Sequence, residues 1–334
     1  MMRAPRFWSN PPDRPGFWAR VLSPLGAIYA AATARRVARP PDWRAPVPVI
    51  CIGNLTAGGA GKTPTAIAVL ERLTAMGVVA HAVTRGHGGT AGRTAPHWVS
   101  MSDDPALTGD EPQLLAAFAP VWVSADRALG ARAAVAAGAG AIVLDDGFQN
   151  PGLAKDLSIL VVDAQTCFGN GRPIPAGPLR EHVPAGLARA DAVALLGPGD
   201  AQDQALAQWP GLAARPVLRG QVVPREIGID WAGQRVIAFA GIARPEKFFA
   251  TLRGLGVDLV GAHGFPDHAA FPPRALRRLS AAADRAGAML VTTEKDAVRL
   301  PASFRGRAMP LPVHLLWDDE DALTALLVPL FDRS

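Results

Sequence analysis

Short apolar runs rich in valine, isoleucine and leucine recur along the chain, separated by amphipathic or alanine-rich stretches. The runs at 47–52, 78–84, 121–124, 141–144, 157–162 and 192–196 have strand length and are nearly continuously apolar, as buried parallel strands are. Between them, 65–76, 111–118 and 126–137 read as helices. Alternation of this kind predicts a parallel sheet with helices on both faces. The proline- and glycine-rich stretch 210–224 reads as a linker. Beyond it, strands at 235–240, 257–262, 288–292 and 313–316 alternate with helices at 245–255 and 272–286. That pattern predicts a second, smaller α/β domain. The expected division is an N-terminal segment over 1–44, a first domain over 45–220 and a second over 225–334, with no internal repeat.

Immediately after the first apolar run the chain reads GNLTAGGAGKTP, residues 53–64. A strand feeding a glycine-rich loop that closes on Lys-Thr and opens a helix is the arrangement that cradles nucleoside triphosphates. The first domain is therefore expected to be P-loop NTPase-like. Gly58, Gly59 and Gly61 let backbone N–H groups approach phosphate oxygens. Lys62 supplies a point charge for the β- and γ-phosphates, and Thr63 a hydroxyl for Mg²⁺. Thr56, Ala60 and Pro64 complete the expected nucleotide-binding stretch. The general consensus has glycine where this chain has Thr56. ATP is favoured over GTP, because a guanine site needs Asn-Lys-x-Asp after a later strand. The nearest candidate, Thr293-Glu294-Lys295-Asp296, has the wrong spacing.

At 334 residues and 49% apolar composition the chain is long enough for two cores. Its net charge of +5 is unevenly placed: residues 1–44 hold eight arginines against Asp13 and Asp42. An anionic partner would meet this segment rather than the whole body, and arginine abundance alone does not mark a nucleic-acid surface. Two isolated cysteines, Cys51 and Cys167, form neither a disulfide framework nor a zinc site. They fit a reducing compartment.

Within the basic segment, 17–34 reads FWARVLSPLGAIYAAATA and is followed by Arg35, Arg36 and Arg39. Aromatics and arginines flanking a moderately apolar stretch suit a membrane interface. Arg20, Pro24 and Gly26 interrupt it, which argues against a clean span. The alternative is a helix packed on the first domain, and both readings can hold at once.

Asp145 and Asp146 follow the strand at 141–144. Carboxylates at the C-terminal end of a parallel strand face the ligand crevice, where beside a phosphate loop they hold Mg²⁺. Asp110, in GDEP, reads on its residues alone as a helix cap. His268, in HGFPDH, reads as structural unless a carboxylate across a cleft makes it part of a base. Arg180 and Glu181, in PAGPLRE, suit either an anionic substrate or a surface salt bridge.

Taken in order, FW, SPLGAIY and ARR near the N-terminus, then GNLTAGGAGKTP, TRGHGG, GDEPQLL, LDDGFQN, PAGPLRE, AFAGIARPEKF, FPDH and TTEKDAVRL, resemble the tetraacyldisaccharide 4′-kinase family of lipid A biosynthesis. The resemblance runs almost end to end, and Thr56 matches the family's own loop. It implies transfer of the γ-phosphate of MgATP to the 4′-hydroxyl of a tetraacylated disaccharide 1-phosphate, giving lipid IVA. It implies two α/β domains with the active site in the cleft between them. The acceptor is a membrane lipid, so the resemblance places the chain at the cytoplasmic face of the bacterial inner membrane, with no nucleic-acid partner and no obligate protein partner.

By the same motifs, Lys62 and Thr63 would bind phosphate and metal, and Asp145 and Asp146 would sit at the metal. Asp110 would be the base on the 4′-hydroxyl, assisted by His268, which reverses the reading as a cap. Arg85, His87, Arg180 and Glu181 would lie toward the substrate. Two positions depart from the family: His87 stands where tyrosine is common, and Asn150 where histidine is common after Asp-Asp-Gly-Phe-Gln. These bear on substrate positioning, not on the reaction class. The competing readings are an ATPase or switch acting on a protein, a kinase for a soluble sugar or nucleoside, and a membrane-associated nucleotide-binding scaffold.

Overall fold

A computed structural model of the chain describes residues 4–267 and 269–332. Its strands are β1 Val49–Gly53, β2 Ala80–Thr84, β3 His97–Trp98, β4 Val121–Val123, β5 Ala141–Asp145, β6 Leu157–Asp163, β7 Ala192–Leu196, β8 Val217–Pro224, β9 Arg235–Ala240, β10 Asp258–Gly264, β11 Met289–Thr293, β12 Met309–Leu311 and β13 Val313–Trp317. Nine of them form one sheet, in the order β13-β8-β7-β6-β1-β5-β2-β4-β3. All its pairings are parallel except the two edges, β3 on β4 and β13 on β8. The remaining four make a parallel sheet, β10-β9-β11-β12. The α/β class and the large parallel sheet read from the alternation are as expected.

The central strands are apolar on both faces because both faces are covered. In β1, Ile50 and Ile52 join a core with Val69, Leu70 and Leu73 from the helix Lys62–Ala75. Val49 and Cys51 point the other way, into a core shared with Ala131 and Ala134 of Arg127–Ala136 and Leu187 of Val183–Ala188. The smaller sheet repeats this scheme. Phe248, Phe249 and Leu252 of Pro245–Gly254 cover one face. Leu276, Leu279 and Ala283 of Pro273–Ala286 cover the other.

The partition of the chain differs from a single C-terminal unit over 225–334. Residues 217–224 are not a linker but strand β8, with Leu218 buried in the large core. The prolines that marked a linker sit at its limits, where a strand tolerates them: Pro216 precedes it and Pro224 ends it. The last strand, β13, returns to pair with β8, Val313 opposite Pro224 and Trp317 opposite Gly220. Leu315, Trp317, Leu323 and Leu327 then enter the core of the large sheet. The run at 313–316 is a strand as read, but it belongs to the first sheet. Outgoing and returning chains run side by side, with Arg225 N donating to Pro312 O at 2.9 Å.

Candidate active site

The glycine-rich loop joins β1 to the N-terminus of Lys62–Ala75, at the C-terminal rim of the large sheet. Asn54, fully buried, braces it from within: Nδ2 donates to Thr56 Oγ1 at 3.2 Å and Gly58 O at 3.3 Å. From outside, Ala57 N donates to Pro178 O and Arg180 N to Leu55 O, both at 2.7 Å. Gly61 ends the loop at φ +93°, and a Cβ there would lie 2.6 Å from Leu196 Cδ1. Only glycine meets both demands without strain. Among the described residues no side chain caps the helix it precedes, so its first N–H groups are open to an anion.

Lys62 is held in the cradle. Its Nζ lies 3.4 Å from Asn54 Oδ1 and 3.7 Å from Asp146 Oδ1. Asp146 takes the left-handed backbone at φ +55° and accepts from Arg180 Nη1 at 2.7 Å. Burial alone would raise the Asp146 carboxyl, but the charges of Lys62 and Arg180 hold it below the ordinary range.

Asp145 is in a different state. It closes β5, is buried, and among the described residues neither carboxylate oxygen has a hydrogen-bond partner. Burial, reinforced by Glu111 and Asp146 against Lys62 and Arg127, pushes it up to about 7. A buried carboxylate with both oxygens unengaged, beside a phosphate cradle, fits a divalent cation, whose charge would reverse that shift. Among the described residues no three His, Cys, Asp or Glu side chains converge on one point. Asp145 and Thr63 are the residues that would hold such a cation, with Asp146 beside them committed to Lys62 and Arg180.

Asp110 opens the helix Asp110–Leu115 and is buried. Gly109 before it, at φ +92°, runs so close to the loop after β2 that a Cβ would lie 2.8 Å from His87 O. Positive groups from the smaller unit reach across to this helix. Arg299 Nε lies 3.6 Å and Lys295 Nζ 4.0 Å from Asp110 Oδ2, and Lys295 donates to Glu111 Oε1 at 3.0 Å. Burial alone would lower Lys295, yet Glu111 and Asp110 hold it above the ordinary lysine range. A second bridge joins the units at the same rim. Arg244 and Lys247 both bind Asp163 at the end of β6, Lys247 Nζ at 2.7 Å.

The remaining expected residues separate by environment. Arg85 and His87 lie exposed after β2. Glu181 is buried, with Oε1 accepting from Gln149 at 2.9 Å and Oε2 paired with Arg189. It braces the Asp145–Asn150 segment from below and is not a surface salt bridge. His268 lies outside the described residues. Sequence reasoning gave no role to Asn54, Lys295, Arg299, Arg244 or Asp163. The strings TTEKDAVRL and AFAGIARPEKF hold three of these positions, Lys295, Arg299 and Arg244, and GNLTAGGAGKTP holds Asn54. Thr293–Asp296 is no base reader: Asp296 Oδ2 accepts from Gly241 N at 2.9 Å and from Thr293 Oγ1 at 2.7 Å.

Residues 18–331 match the family model of tetraacyldisaccharide-1-P 4′-kinase, LpxK. A tetraacyldisaccharide 4′-kinase of Dinoroseobacter shibae is 58% identical over 335 residues, covering 100% of this chain and 99% of that protein. One from Rhodospirillum centenum is 53% identical, covering 98% and 97%. The crystal structure of LpxK from Aquifex aeolicus in complex with ATP superposes with a TM-score of 0.76 at 26% identity, over 94% of this chain and 100% of that one.

Proposed function

The chain belongs to the tetraacyldisaccharide-1-phosphate 4′-kinase family, and from that premise we propose a role for each residue of the rim described above. The activity is ATP-dependent transfer of the γ-phosphate to the 4′-hydroxyl of tetraacyldisaccharide 1-phosphate, forming lipid IVA in lipid A biosynthesis. The observation that carries the assignment of roles is that Asp145 at the end of β5 feels the charges of both Lys62 in the loop and Glu111, the residue next to Asp110.

The loop N–H groups and the open helix N-terminus hold the β- and γ-phosphates, and Lys62 adds a fixed positive charge. Mg²⁺, held by Asp145 and Thr63, would neutralise phosphate charge as it shifts toward the leaving group. Asp110 accepts the 4′-hydroxyl proton and aims the oxygen at phosphorus. A carboxylate is a weak base for an alcohol, but a loose transition state needs little deprotonation before attack. Its alignment therefore counts for more than its basicity. Lys295 and Arg299 keep Asp110 in place from the smaller unit, so closure of the two units and assembly of the base are linked. Arg85 and His87 lie toward the sugar.

The test is transfer from γ-labelled ATP in detergent micelles, with and without the acceptor. Labelled lipid that depends on Lys62 and Asp110 is the expected result. Free phosphate released at the same rate without lipid, and no labelled lipid, would favour an ATPase or switch.

The N-terminal helices α1 Phe17–Val21 and α2 Ser23–Val37 support attachment to a membrane surface. They turn small residues inward, Ala19, Gly26, Ala30 and Thr33, and large apolar ones outward. Phe17 is 71%, Trp18 60% and Ile28 67% exposed. That is the reverse of a helix facing water, and the flanking arginines suit anionic headgroups. No helix among the described residues is long and apolar enough to cross a membrane. We place the chain on the cytoplasmic face of the inner membrane, lying on the lipid. Trp18→Ser with Ile28→Ser is expected to weaken flotation with anionic vesicles more than about tenfold. A wild-type chain that stays in solution at low salt with such vesicles would refute this attachment.

A further inference from the structure

Asp163 binds two cations of the smaller unit at once. It ends β6 and is buried. Its Oδ1 serves its own turn, accepting from Gln165 N at 3.1 Å and Thr166 N at 3.2 Å. Its Oδ2 accepts from Arg244 and from Lys247 Nζ, the latter at 2.7 Å. Burial alone would raise this carboxyl, but Arg244 and Lys247 hold it below the ordinary range. Arg244 precedes the helix Pro245–Gly254, and Lys247 lies in its first turn. Cations at a helix N-terminus oppose its dipole, so the pair does not serve the helix that carries it. Among the described residues neither has another carboxylate within ion-pair distance.

The sheet order β13-β8-β7-β6-β1-β5-β2 places this bridge on a lever. The chain crosses between the units beside β8 and β13, at one edge of the large sheet. Asp163 lies two strands further in, on β6. Next come β1 with the phosphate loop and β5 with Asp145. Asp110 is further still, since Gly109 packs against the loop after β2. β6 also outruns β1: Gly53 pairs with Leu160, three residues before Asp163. The carboxylate therefore stands about 10 Å above the level at which the loop leaves β1. The smaller unit thus spans the loop, with one ionic contact before it and the contacts at Asp110 beyond it. A body held only at its crossing pivots there, and the displacement grows with distance from the pivot. Of these contacts, those of Lys295 and Arg299 with Asp110 are the farthest out, so they would shift most if the Asp163 bridge were lost.

Resting on the kinase reading, we propose that Asp163, Arg244 and Lys247 are positioning residues. Their bridge sets the angle of the smaller unit over the phosphate loop, and through it the placement of Lys295 and Arg299 at Asp110. The test uses Asp163→Asn in the full chain. Asparagine keeps Oδ1 for the turn and removes the charge that holds both cations. One readout is the separation between spin labels on Ala136→Cys in the larger unit and Arg253→Cys in the smaller. Both positions are exposed, and the native Cys51 and Cys167 are buried. The other is single-turnover transfer in mixed micelles, beside ATP affinity by calorimetry. Asp163→Asn is expected to broaden the separations and to lower kcat about tenfold. ATP affinity should stay within about twofold, since the loop and Lys62 belong to the larger unit. Arg244→Gln with Lys247→Gln should match Asp163→Asn, and the triple variant should be no worse than either.

An unchanged kcat in Asp163→Asn overturns the proposal, whether or not the separations change. So does a lowered kcat with unchanged separations, which would mean a local effect on the loop. Effects that multiply in the triple variant also overturn it, because residues acting through one bridge cannot lose it twice. ATP affinity lowered by about tenfold with normal kcat at saturation would make the two cations nucleotide contacts and overturn it as well. Absence of labelled lipid with wild type would instead overturn the kinase reading, and this role with it, even if the separations broaden as expected.

Discussion

Asp110→Asn is expected to lower kcat by about 10²–10⁴-fold while leaving ATP affinity nearly unchanged. Asparagine keeps the shape of the side chain, so Gly109 and the loop after β2 need not move. The charged neighbours also keep partners. Lys295 still has Glu111 at 3.0 Å, and Arg299 still has Asp296. Loss of the negative charge therefore strands no buried cation, and the fold should tolerate the change. What is lost is the acceptor for the hydroxyl proton and part of the aim of the attacking oxygen. Single-turnover rates with γ-labelled ATP, beside nucleotide affinity by calorimetry, separate the two effects. Weakened ATP binding with normal turnover at saturation would reassign Asp110 to the nucleotide.

Lys62→Met is expected to lower kcat/KM by about 10³-fold, most of it in kcat. The side chain is 12% exposed, and methionine fills much of the space of its stem, so the loop should persist. Asp146 loses one positive neighbour but retains Arg180 at 2.7 Å. Asn54 still holds the loop through Thr56 and Gly58. The missing ammonium would act on charge that grows as the phosphoryl group leaves, so the deficit belongs mainly to the transition state. ATP affinity should fall by about tenfold at most, since the backbone N–H groups bind the same phosphates. A variant with normal kcat and only a raised KM for ATP would make Lys62 a ground-state anchor.

Both predictions depend on contacts that differ in how they could be read. The loop from Gly53 to Pro64 is contiguous, and strand, glycines, Lys-Thr and helix follow in order, so its form and its place at the rim were legible. The position of Asp145 and Asp146 was legible for a related reason: a carboxylate closing a parallel strand must face the rim. The surroundings of Asp110 were not. Lys295 meets Glu111 across 184 positions of sequence, and no local pattern announces such a meeting. Glu181 read equally as a ligand or a surface ion. Burial against Gln149 and Arg189 removes the second of these readings.

Apolar periodicity by itself determined that this chain builds parallel sheets covered by helices, and the ordered motifs determined the kinase family. Those are properties of neighbouring residues, fixed by pleat, helical repeat and loop stereochemistry. Which sheet a strand joins is a different matter. The run at 313–316 has the same local character as those at 235–240 and 288–292, yet it returns to β8, because only there does its apolar face find a core. Tertiary packing likewise decided that Arg299 and Lys295 flank Asp110. Such convergence depends on long-range closure of the chain, which side-chain pattern along the sequence does not encode residue by residue.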